Sequence, residues 1–306
     1  MTLAALALAA GAAIVLPHAL RLRRVHPASA GAIWAAALGL RALAALGAVA
    51  TLIVLLHPAR ALGEVVEWTC GAPVPASHHV LHSAVVAPAV LVAGSVLVAA
   101  WRVARGARAA RGLVRGAVGR GPAGSVIVGG DDVVLAAAGL SRPTLLVSAG
   151  ALARLDDAEL AAALSHERGH VVRRHRWVLL YAETCRALAR FLPGTTRAAR
   201  ELAFHLERDA DRWALGRHPD RLALASAICK SGTAPAAATA LAGSGGAVER
   251  VQELLEPVQR TARPARPLAA LAGALAALVL CVAIVLPAEL AAEAAGPPQL
   301  VHSCQR

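Results

Sequence analysis

Aromatic residues are scarce in this chain, with two Phe, one Tyr and five Trp among 306 residues, and Lys230 is its only lysine. Charge is thin as well: 16% of residues are charged against 57% hydrophobic, far from the composition of an average soluble domain. The five cysteines, at positions 70, 185, 229, 281 and 304, form no CxxC pair, which argues against a cysteine-based zinc site. The formal charge of +12 could suggest nucleic acid. A chain this poor in aromatics lacks the stacking array of a single-strand binder, and no DNA-binding motif accompanies the charge, so direct nucleic-acid binding is not expected.

What the chain does have is long apolar runs. A bilayer-crossing helix needs about 20 residues. Four segments qualify: 2–20, 33–56 within a run that begins at 28, 83–101 and 267–288. No positive residue precedes the first, so it reads as a retained span rather than a signal peptide. Arg41 lies near the start of its run and is expected to extend its head to the interface. Arginines cluster after the first span, directly after the third and before the fourth, while the loop from 57 to 82 carries one Arg against two Glu. Positive loops stay in the cytoplasm, so both chain termini are expected outside and residues 102–266 inside. That inner segment holds 25 of the 31 Lys plus Arg and 15 of the 19 Asp plus Glu, a surplus that topology and anionic lipid explain. Residues 289–306 form a short outer tail, in which Cys304 shares a compartment with Cys70 and is expected to pair with it. The preference for Arg over Lys points to a GC-rich bacterial source, hence a multi-pass protein of the bacterial cytoplasmic membrane.

Within 102–266, the stretch 101–120 spaces Arg among Ala, Val and Leu and reads as a basic surface helix running into a GRGPAG linker. SVIVGG, DVVLAAAG and PTLLVSAG are short, apolar and bounded by glycine, the pattern of strands in a small sheet. Asp156 and Glu159 have capping-box spacing and open a helix carrying AAALSHERGH. A second helix is expected through YAETCRALARF and a third, capped by Thr195 or Thr196, through RAARELAFHLERDADRWAL to Gly216. A loop rich in Ala, Gly and Ser precedes a last amphipathic helix, AVERVQELLEP.

His166 and His170, four apart on a helix, project their rings from one face roughly 6 Å apart, near enough to share one ion. Glu167 beside the first histidine can reach a metal-bound water rather than the metal, the general-base position of H-E-x-x-H peptidases. A catalytic zinc needs a third protein ligand and an open position. His175 is nearest, but Arg173 and Arg176 stand where the extended H-E-x-x-H-x-x-G-x-x-H pattern requires Gly and His, which excludes that subclass. HLERDADRW offers Glu207 as a ligand and Asp211, four residues on, as the group that orients a ligand histidine. Glu201, His205 and Asp209 compete for these roles, and spacing does not rank them.

HERGH, followed 37 residues after His170 by Glu207 within ERDAD, in an inner segment between three spans and a fourth, resembles the BlaR/MecR-type antirepressor membrane zinc metallopeptidases. With less fitting spacing it is also similar to the HtpX and CAAX prenyl protease group. The resemblance covers roughly residues 142–255. It implies His166, His170 and Glu207 as zinc ligands, Glu167 as the base and Asp211 behind a ligand. It departs from the family at His175, where members often carry an acidic residue, and in having only 289–306 after the last span, where a penicillin-binding sensor is found in the best-known members.

The fold expected is mainly α: three transmembrane helices within 1–101, a cytoplasmic zincin-like α+β metalloprotease domain at 102–266 with a small sheet, and a fourth span at 267–288. The expected function is regulatory peptide hydrolysis by a zinc metalloendopeptidase, acting on a protein or peptide such as a cytosolic transcriptional repressor, or on itself. PTLLVSAG is the expected edge strand for an extended substrate. The competing readings are a catalytically silent transducer or scaffold around structural zinc, which would need a fourth ligand such as His175 or His205, and a quality-control protease resembling HtpX or the CAAX enzymes.

Overall fold

Asp156 and Glu159 close a reciprocal capping box: the Asp156 carboxylate accepts from the Glu159 N–H at 2.8 Å, and the Glu159 carboxylate accepts from the Asp156 N–H at 2.9 Å. The helix they start is the centre of the architecture in this computed structural model, which describes residues 11, 14–15, 17–19, 22–56, 77–139, 143–231 and 246–256.

In chain order the elements are α1 (Pro27–Leu56), α2 (Ser77–Arg115), β1 (Ala117–Arg120), β2 (Val126–Val128), β3 (Leu135–Ala138), β4 (Thr144–Ser148), α3 (Ala149–Arg154), α4 (Asp157–Val172), α5 (His175–Leu188), α6 (Thr195–Leu215), α7 (Arg221–Ser231) and α8 (Ala247–Leu255). The architecture is mostly helical with one small mixed sheet of order β1-β2-β4-β3. β2 and β4 are parallel, and the outer strands β1 and β3 each run antiparallel to their neighbour. β4 is therefore an inner strand. Among the described residues the free edge beside α4 belongs to β3, which corrects the expectation that PTLLVSAG supplies it.

The basic stretch 101–120 is helical only to Arg115 and then turns into β1. Two short helices, α3 and α7, lie where the sequence pattern gave no helix. Ser148 starts α3 by accepting the Ala151 N–H at 3.0 Å, and Asp220 does the same for α7 through the Ala223 N–H at 2.9 Å. α6 begins after Gly194, whose positive φ of 81° suits glycine, and no side chain caps it. The Thr195 hydroxyl donates backwards instead, to the carbonyls of Ala189 and Leu192.

Among the described residues, two helices are long and apolar enough to cross a membrane, at Pro27–Val49 and Val90–Arg115. They fall on the second and third expected spans. The first expected span lies largely, and the fourth wholly, outside the described residues, as do Cys70 and Cys304. α1 is more than a span: Ala30, Ile33, Trp34, Ala37, Leu38 and Ala42 share one apolar cluster with Ala182 and Cys185 of α5 and Ala198, Leu202 and Leu206 of α6. Arg41 belongs to this buried face, 2% exposed, with Nη2 3.0 Å from His18 Nε2. Its head points into protein, not to the interface, because α5 and α6 cover that side of the helix.

Candidate metal centre

Gly169 sits between the two histidines of α4 and faces Ala210 of α6; a Cβ there would stand 3.2 Å from the Ala210 Cα and 3.3 Å from its carbonyl oxygen. The missing side chain lets the two backbones approach. That approach carries Glu207 to the histidine face of α4. His166 Nε2 and His170 Nε2 lie 3.1 Å apart, Glu207 Oε2 is 3.4 Å from the former, and Glu207 Oε1 is 3.5 Å from the latter. A tetrahedral ion about 2.0–2.1 Å from each donor needs donors about 3.3 Å apart, so two imidazole nitrogens and one carboxylate fit zinc in chemistry and spacing. Among the described residues, no fourth His, Cys, Asp or Glu joins this group.

Behind the three candidate ligands run two polar chains. Asp211 Oδ1 stands 2.8 Å from His166 Nδ1, a charge contact without the alignment of a full hydrogen bond. Arg250, from α8, donates Nε and Nη2 to the two oxygens of Asp211 at 2.8 and 2.7 Å, and Nη1 to Glu207 Oε2 at 2.8 Å. One guanidinium thus fixes both acidic groups in the fork geometry that arginine provides. The second chain leaves the other histidine: His170 Nδ1 is 3.1 Å from His175 Nδ1, and His175 Nε2 is 3.2 Å from Asp209 Oδ2.

Residues 124–254 match the model of peptidase family M48. No curated protein and no solved structure matches the chain. The match runs from the sheet to α8, takes in the three candidate ligands, Glu167, Asp211 and Arg250, and supports a metallopeptidase of the M48 type. The BlaR/MecR-type affiliation rests on the motif resemblance alone.

Within the matched segment, the Glu167 carboxylate accepts the N–H of Ala137 on the β3 edge at 3.1 Å. The residue next to the first histidine is therefore held between the candidate ligands and the free strand edge. The competing acidic helix positions separate clearly. Glu201 lies 3.6 Å from Arg23, Asp209 serves His175, and His205 is fully buried beside Arg208 and Phe204. Burial, reinforced by Arg208 and Arg23, pushes the His205 pKa down to about 3, so this imidazole is neutral. Tyr181 gives its hydroxyl to the Ala35 carbonyl of α1 at 3.1 Å.

The electrostatics follow the same two chains. Burial disfavours a charged His166, but Asp211 and Glu207 together outweigh it and raise its pKa to about 10. Burial would raise Glu207, yet Arg250 and then the two histidines hold it well below the ordinary carboxylate range. Asp211 is lowered in the same way, by Arg250 and then His166 against the effect of burial. Burial lowers His175 in spite of Asp209, which keeps its ring neutral. Arg250 was not among the residues singled out from the sequence. An arginine inside an amphipathic helix, as in AVERVQELL, looks solvated until its helix is placed against HLERDADRW.

Proposed function

We propose that the chain is an integral membrane zinc metallopeptidase that hydrolyses peptide bonds on the cytoplasmic side of a bacterial membrane. Its role is regulatory, cleaving a cytosolic repressor or the enzyme itself. The observation that carries this reading is the convergence of His166, His170 and Glu207 beside Glu167 inside an M48-type domain. His166, His170 and Glu207 hold the ion, Glu167 is the catalytic residue and Asp211 positions His166. Two candidate spans and the arginine-rich continuation of the second support the membrane placement and the inward orientation.

Bound zinc supplies an acidified water and polarises the scissile carbonyl. The rest of the chemistry belongs to the chain. Glu167 takes the proton of the attacking water and delivers it to the departing amine. The free edge of β3 accepts an extended substrate strand and aligns its backbone with Glu167. Asp211 and the His175–Asp209 pair keep each ligand ring turned so that Nε2 faces the ion.

A scaffold built on structural zinc requires a closed, four-donor site. His175 lies on the Nδ1 side of His170 and His205 is committed elsewhere, so neither supports that alternative. The test is a comparison of cellular proteomes carrying wild-type or Glu167→Gln protein. Cleavage products present only with the wild type support the reading, and identical peptide profiles contradict it.

A further inference from the structure

The depth at which the peptidase domain sits can be read from α1. Its apolar run ends at Leu56, since His57, Arg60, Glu64 and Glu67 follow. On the other side, one face of the helix is buried against α5 and α6 as far as Ala42. None of residues 43–49 is fully buried, and from 43 to Leu56 the helix reaches about 21 Å at 1.5 Å per residue. The hydrocarbon core is about 30 Å thick, so roughly six more residues of α1 lie within it, which places the inner boundary near Ala37.

Two contacts fix what lies at that level. The Tyr181 hydroxyl of α5 bonds the Ala35 carbonyl, and Gly194 of the α5–α6 turn lies against the Arg41 guanidinium. Gly194 lies as close to His18, whose ring packs on Trp34, so the turn sits at about the level of that boundary, where an interfacial element lies. The exposed aromatics are distributed accordingly. Trp177 and Tyr181 are 50% and 42% exposed one turn apart on α5, Phe191 is 56% exposed in the turn, and Trp101 is exposed where the apolar part of α2 gives way to Arg102, Arg105, Arg108 and Arg111. In a chain with eight aromatics, these four lie on a span, on α5 packed against one, or in the turn that follows it, as an interfacial belt does. Arg190 and Arg197, both exposed, flank the turn and can extend their heads to the phosphates.

We propose that α5 and the α5–α6 turn form a membrane-contact surface, with Trp177, Tyr181 and Phe191 at the headgroup boundary. The domain then rests against the inner leaflet and is not suspended below it on a tether. The inference rests on the reading of α1 and α2 as spans.

The test uses the full chain, with its native cysteines replaced, reconstituted in phosphatidylcholine and phosphatidylglycerol vesicles. Nitroxides are placed at Phe191→Cys, Trp177→Cys and, as an aqueous reference, Leu222→Cys on α7. Labels at 191 and 177 are expected to collide with oxygen several-fold more, relative to a water-soluble nickel chelate, than the label at 222. In the chain with native cysteines, Trp177→Phe is expected to remove part of the tryptophan quenching caused by brominated lipids. Ratios at 191 and 177 equal to that at 222, or labels shielded from both colliders by a protein partner, overturn the inference while leaving the spans intact. Release of the wild-type chain from membranes by alkaline carbonate overturns the span reading itself, and the inference with it.

Discussion

His175 stands between His170 and Asp209, its two ring nitrogens 3.1 Å from His170 Nδ1 and 3.2 Å from the Asp209 carboxylate. A carboxylate only accepts, so Nε2 of the neutral His175 carries the proton and Nδ1 is left as an acceptor. That acceptor takes the Nδ1–H of His170, which leaves the His170 Nε2 lone pair toward Glu207 and His166. Asp209→Asn removes the fixed direction of this chain, because an amide can donate as well as accept. Zinc affinity is expected to fall about 10–100-fold, the range for lost groups behind a ligand. Chelator competition measures it, and an unchanged dissociation constant counts against the assignment.

Arg250 neutralises Glu207 and Asp211 together. Replacing it with Met leaves two buried carboxylates without their cation, and breaking such a pair costs about 3–5 kcal/mol. The denaturant midpoint of the Arg250→Met chain should shift downward accordingly. A midpoint within error of the wild type would show that solvent reaches these carboxylates.

Gly169 tests the close crossing of α4 and α6. A methyl group at this position meets Ala210 backbone atoms at 3.2 and 3.3 Å, too near to be accommodated without parting the helices. Gly169→Ala is expected to cost about 1–3 kcal/mol by overpacking and to weaken zinc binding as Glu207 recedes. If stability drops but zinc affinity does not, the crossing does not set the ligand distance.

Acid sensitivity has a named contributor far from the histidines. Glu159, buried, receives Lys230, Ser226 and the Asp156 N–H, which together hold its pKa below the usual value of 4.5 despite the opposing effect of burial. A carboxyl depressed in the folded state stabilises it above the unfolded pKa, and that contribution is lost as pH falls through the folded value. Urea midpoints measured from pH 6 to pH 3 should therefore fall more steeply below about 4.5 for the wild type than for Glu159→Gln. Parallel curves would contradict the linkage.

The parts of the fold legible in the sequence are those set by local pattern. Asp156 and Glu159 announced the start of α4, glycine-bounded apolar runs announced β2, β3 and β4, and the four-residue spacing put His166 and His170 on one face. What escaped depends on contacts between distant segments. β1 is visible only through its pairing with β2, β3 is the edge only because β4 inserts beside β2, and the Arg41 head turns inward only because α5 and α6 cover it. Arg250 and the His175–Asp209 pair are likewise products of tertiary placement. Their residue types are ordinary on an amphipathic or acidic helix, and nothing in their spacing points to His166 or His170.

The central claim is that one divalent ion is held by His166, His170 and Glu207. Zinc stoichiometry and zinc-edge X-ray absorption on the purified full chain, beside Glu207→Ala, test it most directly. The account predicts one zinc per chain with two imidazole nitrogens at about 2.0 Å and a carboxylate oxygen in the wild type, and loss of that zinc in the variant. A full chain that binds no zinc, or a Glu207→Ala chain that retains it with an unchanged spectrum, would contradict the claim.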